Sequence, residues 1–134
     1  MNELYVGQTA SIEKKFSYED VATFSQLSLD NNPIHIDPEY AASTQFGRNI
    51  VHGFLAGSLF SAIIGTIVPG KGTIYLSQNM NFLKPIFHDE LIKAVVTIEK
   101  IREDKPIVTL STQLFNHQGL LAIDGIAVVK VNKI

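Results

Sequence analysis

The sequence predicts an α+β fold in which one long helix is wrapped by a curved antiparallel β-sheet, and three observations predict it. Residues 50–68 carry no charged side chain, four later runs are rich in Val, Ile, Leu and Thr, and short polar turns separate neighbouring runs. With 134 residues, 46% of them hydrophobic, the chain has enough apolar material for one core, and a single domain over 1–134 is expected.

The elements follow in order along the chain. Residues 9–16 alternate weakly between apolar and polar, as an edge strand does. Ser17 and Asp20 then supply a helix start with an acid in its first turn, and Val21, Phe24 and Leu27 mark one helical face. That helix should stop near Asp30. Asn31-Asn32-Pro33 favours a turn, and a proline pushes the residue before it out of helical geometry, so a loop is expected to carry Asp30 to His35. Asp37 followed by Pro38 reads as an N-cap with proline at the first helical position, and it predicts a short helix through Tyr40 to Ser43.

The uncharged stretch raises a membrane span as an alternative, since about 20 apolar residues can cross a bilayer. Its His52, Ser58, Ser61, Thr66 and three glycines suit a helix enclosed by protein better than one facing lipid. The runs 73–82, 91–101, 107–115 and 120–131 have strand composition and can do the enclosing. Glu103-Asp104-Lys105-Pro106 and Asn116-His117-Gln118-Gly119 are turns of the kind that joins antiparallel hairpins.

Several function classes are set aside by composition. The formal net charge is -2, with acids and bases scattered, so no basic stripe is available to neutralise nucleic-acid phosphates. The absence of cysteine excludes disulfides, thiolate metal sites and thiol nucleophiles, and it is compatible with a cytoplasmic location. Residues 1–10 lack the basic start and apolar stretch of a secretory signal, so an unexported protein is expected.

Two segments carry candidate chemistry. Asp30-Asn31-Asn32-Pro33-Ile34-His35 sets a carboxylate and an imidazole at the two ends of a tight turn, a pair suited to general acid-base work on one small molecule such as water. The plain alternative is a backbone-turning aspartate and an ordinary loop histidine. Val51-His52-Gly53 opens the uncharged helix, in which small residues recur at Gly53, Gly57, Ser61 and Gly65. An unobstructed N–H at Gly53, at the positive end of the helix dipole, is a candidate oxyanion hole. At Gly57 and Gly65 the stripe serves equally well for close packing.

Asp30-x-Asn32-Pro33-x-His35-x-Asp37, then Arg48-x-Ile50-Val51-His52-Gly53, then Ser61, resembles the pattern of the MaoC-like, (R)-specific enoyl-CoA hydratases. The similarity continues through residues 69–76 and 102–106, over nearly the full chain. The resemblance implies a hot-dog fold, Asp30 and His35 as catalytic pair, Gly53 as oxyanion-hole residue and Ser61 as active-site serine. It also implies a homodimer with an acyl-CoA or acyl-ACP thioester as substrate, CoA being part of that substrate rather than a cofactor, and no metal. One departure is His88, where many relatives place a glycine before the aspartate.

Rival readings are a 3-hydroxyacyl-ACP dehydratase, an acyl-CoA thioesterase and a non-catalytic thioester-binding protein. A non-haem iron oxygenase built on His35, Asp37 and His52 is a further one. His52 is expected to pack at the helix entrance, and His88 and His117 to be solvated. Arg48, Lys71, Lys84 and Arg102 are possible phosphate partners, none of them assigned.

Overall fold

The computed structural model describes residues 3–132; Met1, Asn2, Lys133 and Ile134, the ends of the expected 1–134 domain, lie outside the described residues. Strand β1 (Thr9–Lys14) leads into helix α1 (Tyr18–Ser28), then short helices α2 (Pro33–Ile36) and α3 (Pro38–Ala42). The long helix α4 (Gly53–Thr66) precedes β2 (Ile74–Gln78), β3 (Asn81–Phe82), β4 (Ile92–Ile101), β5 (Ile107–Phe115) and β6 (Leu121–Lys130). All pairings are antiparallel, in the order β1-β4-β5-β6-β2, with β3 also on β6. β1 is an edge strand, as its weak alternation suggests.

Local chemistry explains most boundaries. Ser17 and Asp20 form a reciprocal capping box, each side chain accepting the other's backbone N–H at 3.0 Å. Asp37 caps α3 by accepting from the N–H groups of Glu39 and Tyr40. The expected loop from Asp30 to His35 is corrected: Asn32 caps a further helix whose first residue is Pro33, so His35 sits on α2. Proline lacks the N–H that a first-turn residue leaves unpaired anyway, and the same signal therefore starts a helix as readily as a turn.

The run 73–82 is also corrected, since it breaks at Asn79-Met80 into β2 and β3. Asn79 straddles β6 there, its N–H donating to the Ile126 carbonyl at 3.0 Å and its Oδ1 accepting the Ile126 N–H at 2.9 Å. A Cβ on Gly125 would meet the Asn79 carbonyl oxygen at 1.9 Å, so only glycine permits this approach.

The core forms where α4 lies on the sheet. Ala56, Leu59, Phe60, Ile63 and Ile64 of α4 are buried together with the alternating Ile92, Ala94, Val96 and Ile98 of β4 and with Val108, Leu110 and Leu114 of β5. Each large side chain so buried contributes about 1.5–3 kcal/mol relative to exposure. The sheet covers one side of α4 only; Phe54, Ser58, Ser61, Ala62, Gly65 and Thr66 are exposed. Among the described residues no helix is long and apolar enough to cross a membrane.

Candidate active site

The segment between α1 and α4 is tied down by backbone and side-chain bonds until it leaves two functional groups free. Leu29 ends α1 in the left-handed region at φ 70°. Asp30 then donates its N–H to Ser28 Oγ at 3.1 Å, and its carbonyl accepts from His52 Nε2 at 3.2 Å. Its Oδ1 accepts the Asn32 N–H at 3.2 Å, and the side chain remains exposed. The carboxylate is thus oriented by its own turn while keeping acceptor capacity for a further partner.

His35 is buried, at 8% exposure, which corrects the alternative of an ordinary loop residue. Its Nδ1 lies 2.9 Å from the Ile50 carbonyl oxygen. A carbonyl only accepts, so Nδ1 carries the proton and Nε2 is left to exchange one. α2 itself is pinned by Asn49, a buried residue whose Nδ2 donates to the carbonyls of Ile34 at 2.9 Å, Asp37 at 3.1 Å and Pro33 at 3.4 Å. Sequence reasoning missed Asn49; a polar residue at the margin of an apolar stretch gave no signal of its three-carbonyl environment.

His52 does pack at the entrance of α4, but against the site rather than away from it. Its ring stacks on His35 with centroids 3.8 Å apart and 25° between planes, and it meets Phe24 edge-on at 4.8 Å. Nε2 reaches both the Asp30 carbonyl and Ser25 Oγ, the latter at 3.0 Å. Burial holds the His52 pKa below its ordinary value of 6.5, against the opposing pull of the bond to the Asp30 carbonyl. The Asp30 carbonyl only accepts, so Nε2 carries a hydrogen, while Nδ1 is buried and unpartnered.

Asp30, His35 and His52 each present a potential metal ligand atom, all within 4.8 Å of one another. The carboxylate of such a triad would be Asp30, because Asp37 is spent on capping α3. The stack opposes coordination: in-plane lone pairs of two nearly parallel rings run side by side instead of converging on one ion, and each ring has one nitrogen already bonded.

Gly53 begins α4 directly after His52. The first helix-closing bond is donated by Ala56 to the His52 carbonyl, so the N–H of Gly53 has no backbone acceptor among the described residues. Gly53 lines a cavity of about 420 Å³ with Phe46, Phe54, Phe82, Lys84 and Ile123, and a Cβ there would meet the Phe82 ring at 2.5 Å. Gly57 is shielded by Met80 in the same way. Asp30 and His35, which contact His52, are not among the residues that line this cavity.

Ser61 lies eight residues along α4 from Gly53, about 12 Å at 1.5 Å per residue. It is exposed and makes no hydrogen bond among the described residues, whereas Ser58 and Thr66 bond back to the carbonyls of Leu55 and Ala62. Of the other histidines, His117 is exposed beside Glu90 at 3.1 Å. His88 corrects the expectation of a solvated turn residue: it is half-buried, meets Tyr18 edge-on at 5.4 Å and leaves Nε2 unpartnered, and burial lowers its pKa. The turn tolerates it because the left-handed position falls on Asp89, at φ 60°. Arg48 pairs with Glu90 at 2.9 Å and stacks on Phe87, and Arg102 pairs with Asp104 at 2.8 Å.

The chain as a whole resembles known proteins. The family description "MaoC like domain" matches residues 5–115. The chain belongs to the MaoC-like family. It is 50% identical over 128 residues to the (R)-specific enoyl-CoA hydratase of Aeromonas caviae, covering 96% of each protein. The solved structure of the (R)-hydratase from A. caviae involved in PHA biosynthesis superimposes with a TM-score of 0.95 at 49% identity, over 98% of this chain and 99% of that one. A mitochondrial 3-hydroxyacyl-[acyl-carrier-protein] dehydratase of Arabidopsis thaliana is 39% identical over 125 residues, covering 91% of this chain and 74% of the relative. The MaoC-like chain has the single hot-dog fold of these proteins, with α4 against an open, curved antiparallel sheet.

Proposed function

We propose that this MaoC-like chain is an (R)-specific enoyl-CoA hydratase, a hydro-lyase that reversibly adds water across the double bond of a trans-2-enoyl-CoA to give the (R)-3-hydroxyacyl-CoA. The observation that carries the catalytic assignment is the joint placement of the Asp30 carboxylate and the Nε2 face of His35, with ligand atoms within 4.8 Å, next to a helix start whose Gly53 N–H has no backbone acceptor.

In this reading water bound between Asp30 and His35 attacks C3. One of the pair takes a water proton and the other delivers a proton to C2, while charge developing on the thioester oxygen is met by the Gly53 N–H and the dipole of α4. The cavity at Gly53 supports an acyl or pantetheine arm beside that N–H, and Lys84 supplies a cation at its wall. Ser61 acts from further along α4, through its free hydroxyl, on the thioester or on a neighbouring subunit.

A homodimer belongs to the same proposal. The uncovered face of α4 and the exposed Ile74 and Leu76 of strand β2 are apolar or small-residue surface that a second copy would bury. A cytoplasmic setting is supported by the likeness to the bacterial hydratase. No cofactor is called for beyond the CoA carried by the substrate; chelation of the purified protein is expected to leave the rate unchanged, and a rate restored only by an added metal would refute this.

The test of the reaction is loss of enoyl absorbance from crotonyl-CoA and longer trans-2-enoyl-CoAs, with a thiol reagent present and chiral analysis of the product. Absorbance loss without thiol release and an (R)-product support the reading; thiol release identifies a thioesterase. The likeness to the A. thaliana dehydratase favours a second reading, 3-hydroxyacyl-ACP dehydration, and a higher kcat/KM on ACP than on CoA thioesters would establish it.

A further inference from the structure

We propose that His52 is a positioning residue of the active site: its buried ring ties the Asp30 backbone to α1 through Ser25 and forms the surface on which His35 lies, so that carboxylate and imidazole keep one relative geometry through turnover. The inference rests on the reading of Asp30 and His35 as the catalytic pair.

Three contacts carry it. His52 is 2% exposed, too enclosed to meet substrate, yet its Nε2–H is directed at the carbonyl of the residue that bears the carboxylate, at 3.2 Å. Ser25 Oγ, 3.0 Å from the same nitrogen, is itself buried in α1 at 2% exposure, so the link runs from the α1 interior through one ring to Asp30. The other contact is the stack on His35 at 3.8 Å, and His35 is locked from its far edge by the Ile50 carbonyl. Removing the ring would free Asp30 at one anchor and His35 on one face together.

Burial adds a second reason for this residue. A His52 that stays neutral lays a polarisable ring, and not a second cation, against an imidazole that must hold a proton during part of the cycle. Asp30 and His35 are the ionisable groups that act on the ring, and Phe24 and Ser25 contact it as well.

The test compares His52→Gln, His52→Leu and Ser25→Ala with Asp30→Asn and His35→Ala in crotonyl-CoA hydration, with stability followed by thermal unfolding. Glutamine can still donate an N–H toward the Asp30 carbonyl and leucine cannot. The expected result is a kcat loss of about a hundredfold for His52→Leu. Partial recovery is expected in His52→Gln, with KM within about threefold of wild type in both. A kcat within twofold of wild type in folded His52→Leu overturns the inference, as does a loss confined to KM or one that leucine and glutamine share equally. If neither His52 variant folds, Ser25→Ala decides: a kcat drop of several fold supports the link and an unchanged kcat overturns it. Full activity in Asp30→Asn and His35→Ala would instead remove the pair itself, a failure distinct from that of His52.

Discussion

At the scale of the residue, the site depends on which atoms are already bonded. His35 spends Nδ1 on the Ile50 carbonyl and Asp30 spends part of one oxygen on Asn32, so the free valences are Nε2 and the rest of the carboxylate. Asp30→Asn can keep the Asn32 contact through its amide oxygen, while it removes the charge and turns the other oxygen into an NH2 donor. Steady-state hydration assays on Asp30→Asn and His35→Ala should show rates lower by about 100-fold to 10,000-fold, the range for a positioned acid or base. Gly53→Ala places a Cβ 2.5 Å from the Phe82 ring, so the ring or the helix start must shift. Misplacing that N–H is expected to cost about 3 kcal/mol, roughly a hundredfold in kcat, measured beside the unfolding temperature to separate rate from fold. The pair was legible because Asp30 and His35 lie in one short motif. His52 was not, because its partners Ser25 and Asp30 are 27 and 22 residues away and only packing brings them to its ring.

At the scale of the element, local signals read correctly where one chemistry decides the conformation. The Ser17 and Asp20 capping box is such a case, and Ser17→Ala should lower stability by about 1 kcal/mol in denaturant unfolding, with hydration activity retained. Asn32-Pro33 allows two outcomes, a turn or a helix start, and the tie of α2 to Asn49 selects the helix. The break between β2 and β3 left no trace in the alternation of residues 73–82, since it is imposed from β6, where Gly125 admits the Asn79 backbone. Gly125→Ala forces that carbonyl away and is expected to destabilise by about 1–3 kcal/mol or more, read as a lowered urea midpoint.

At the scale of the whole molecule, the charge-free helix and the strand composition of the second half foretold a helix against a curved sheet, because burial on this scale needs only patterning. What patterning could not convey is that the sheet covers one side of α4 alone. If a second copy covers the other, sedimentation should give a dimer, and Ala62→Glu on the exposed face should shift it toward monomer. Stability should also depend on pH with a definite sign. His52 and His88 are held below 6.5 in the folded state by burial, so the unfolded chain binds protons more readily. Their contribution is fully present above pH 6.5 and is lost as pH falls through the depressed folded values. The unfolding temperature should therefore drop on acidification below about pH 6.5, before the carboxylates titrate, and less steeply in a folded His52→Gln protein.

The central claim is that Asp30, His35 and Gly53 address one thioester. The most direct measurement is a crystal structure of the Asp30→Asn protein with a bound trans-2-enoyl-CoA. The account predicts the thioester oxygen about 3 Å from the Gly53 nitrogen, with C2 and C3 between positions 30 and 35. An acyl group seated in the Gly53 cavity with its double bond beyond reach of His35 Nε2 would contradict it.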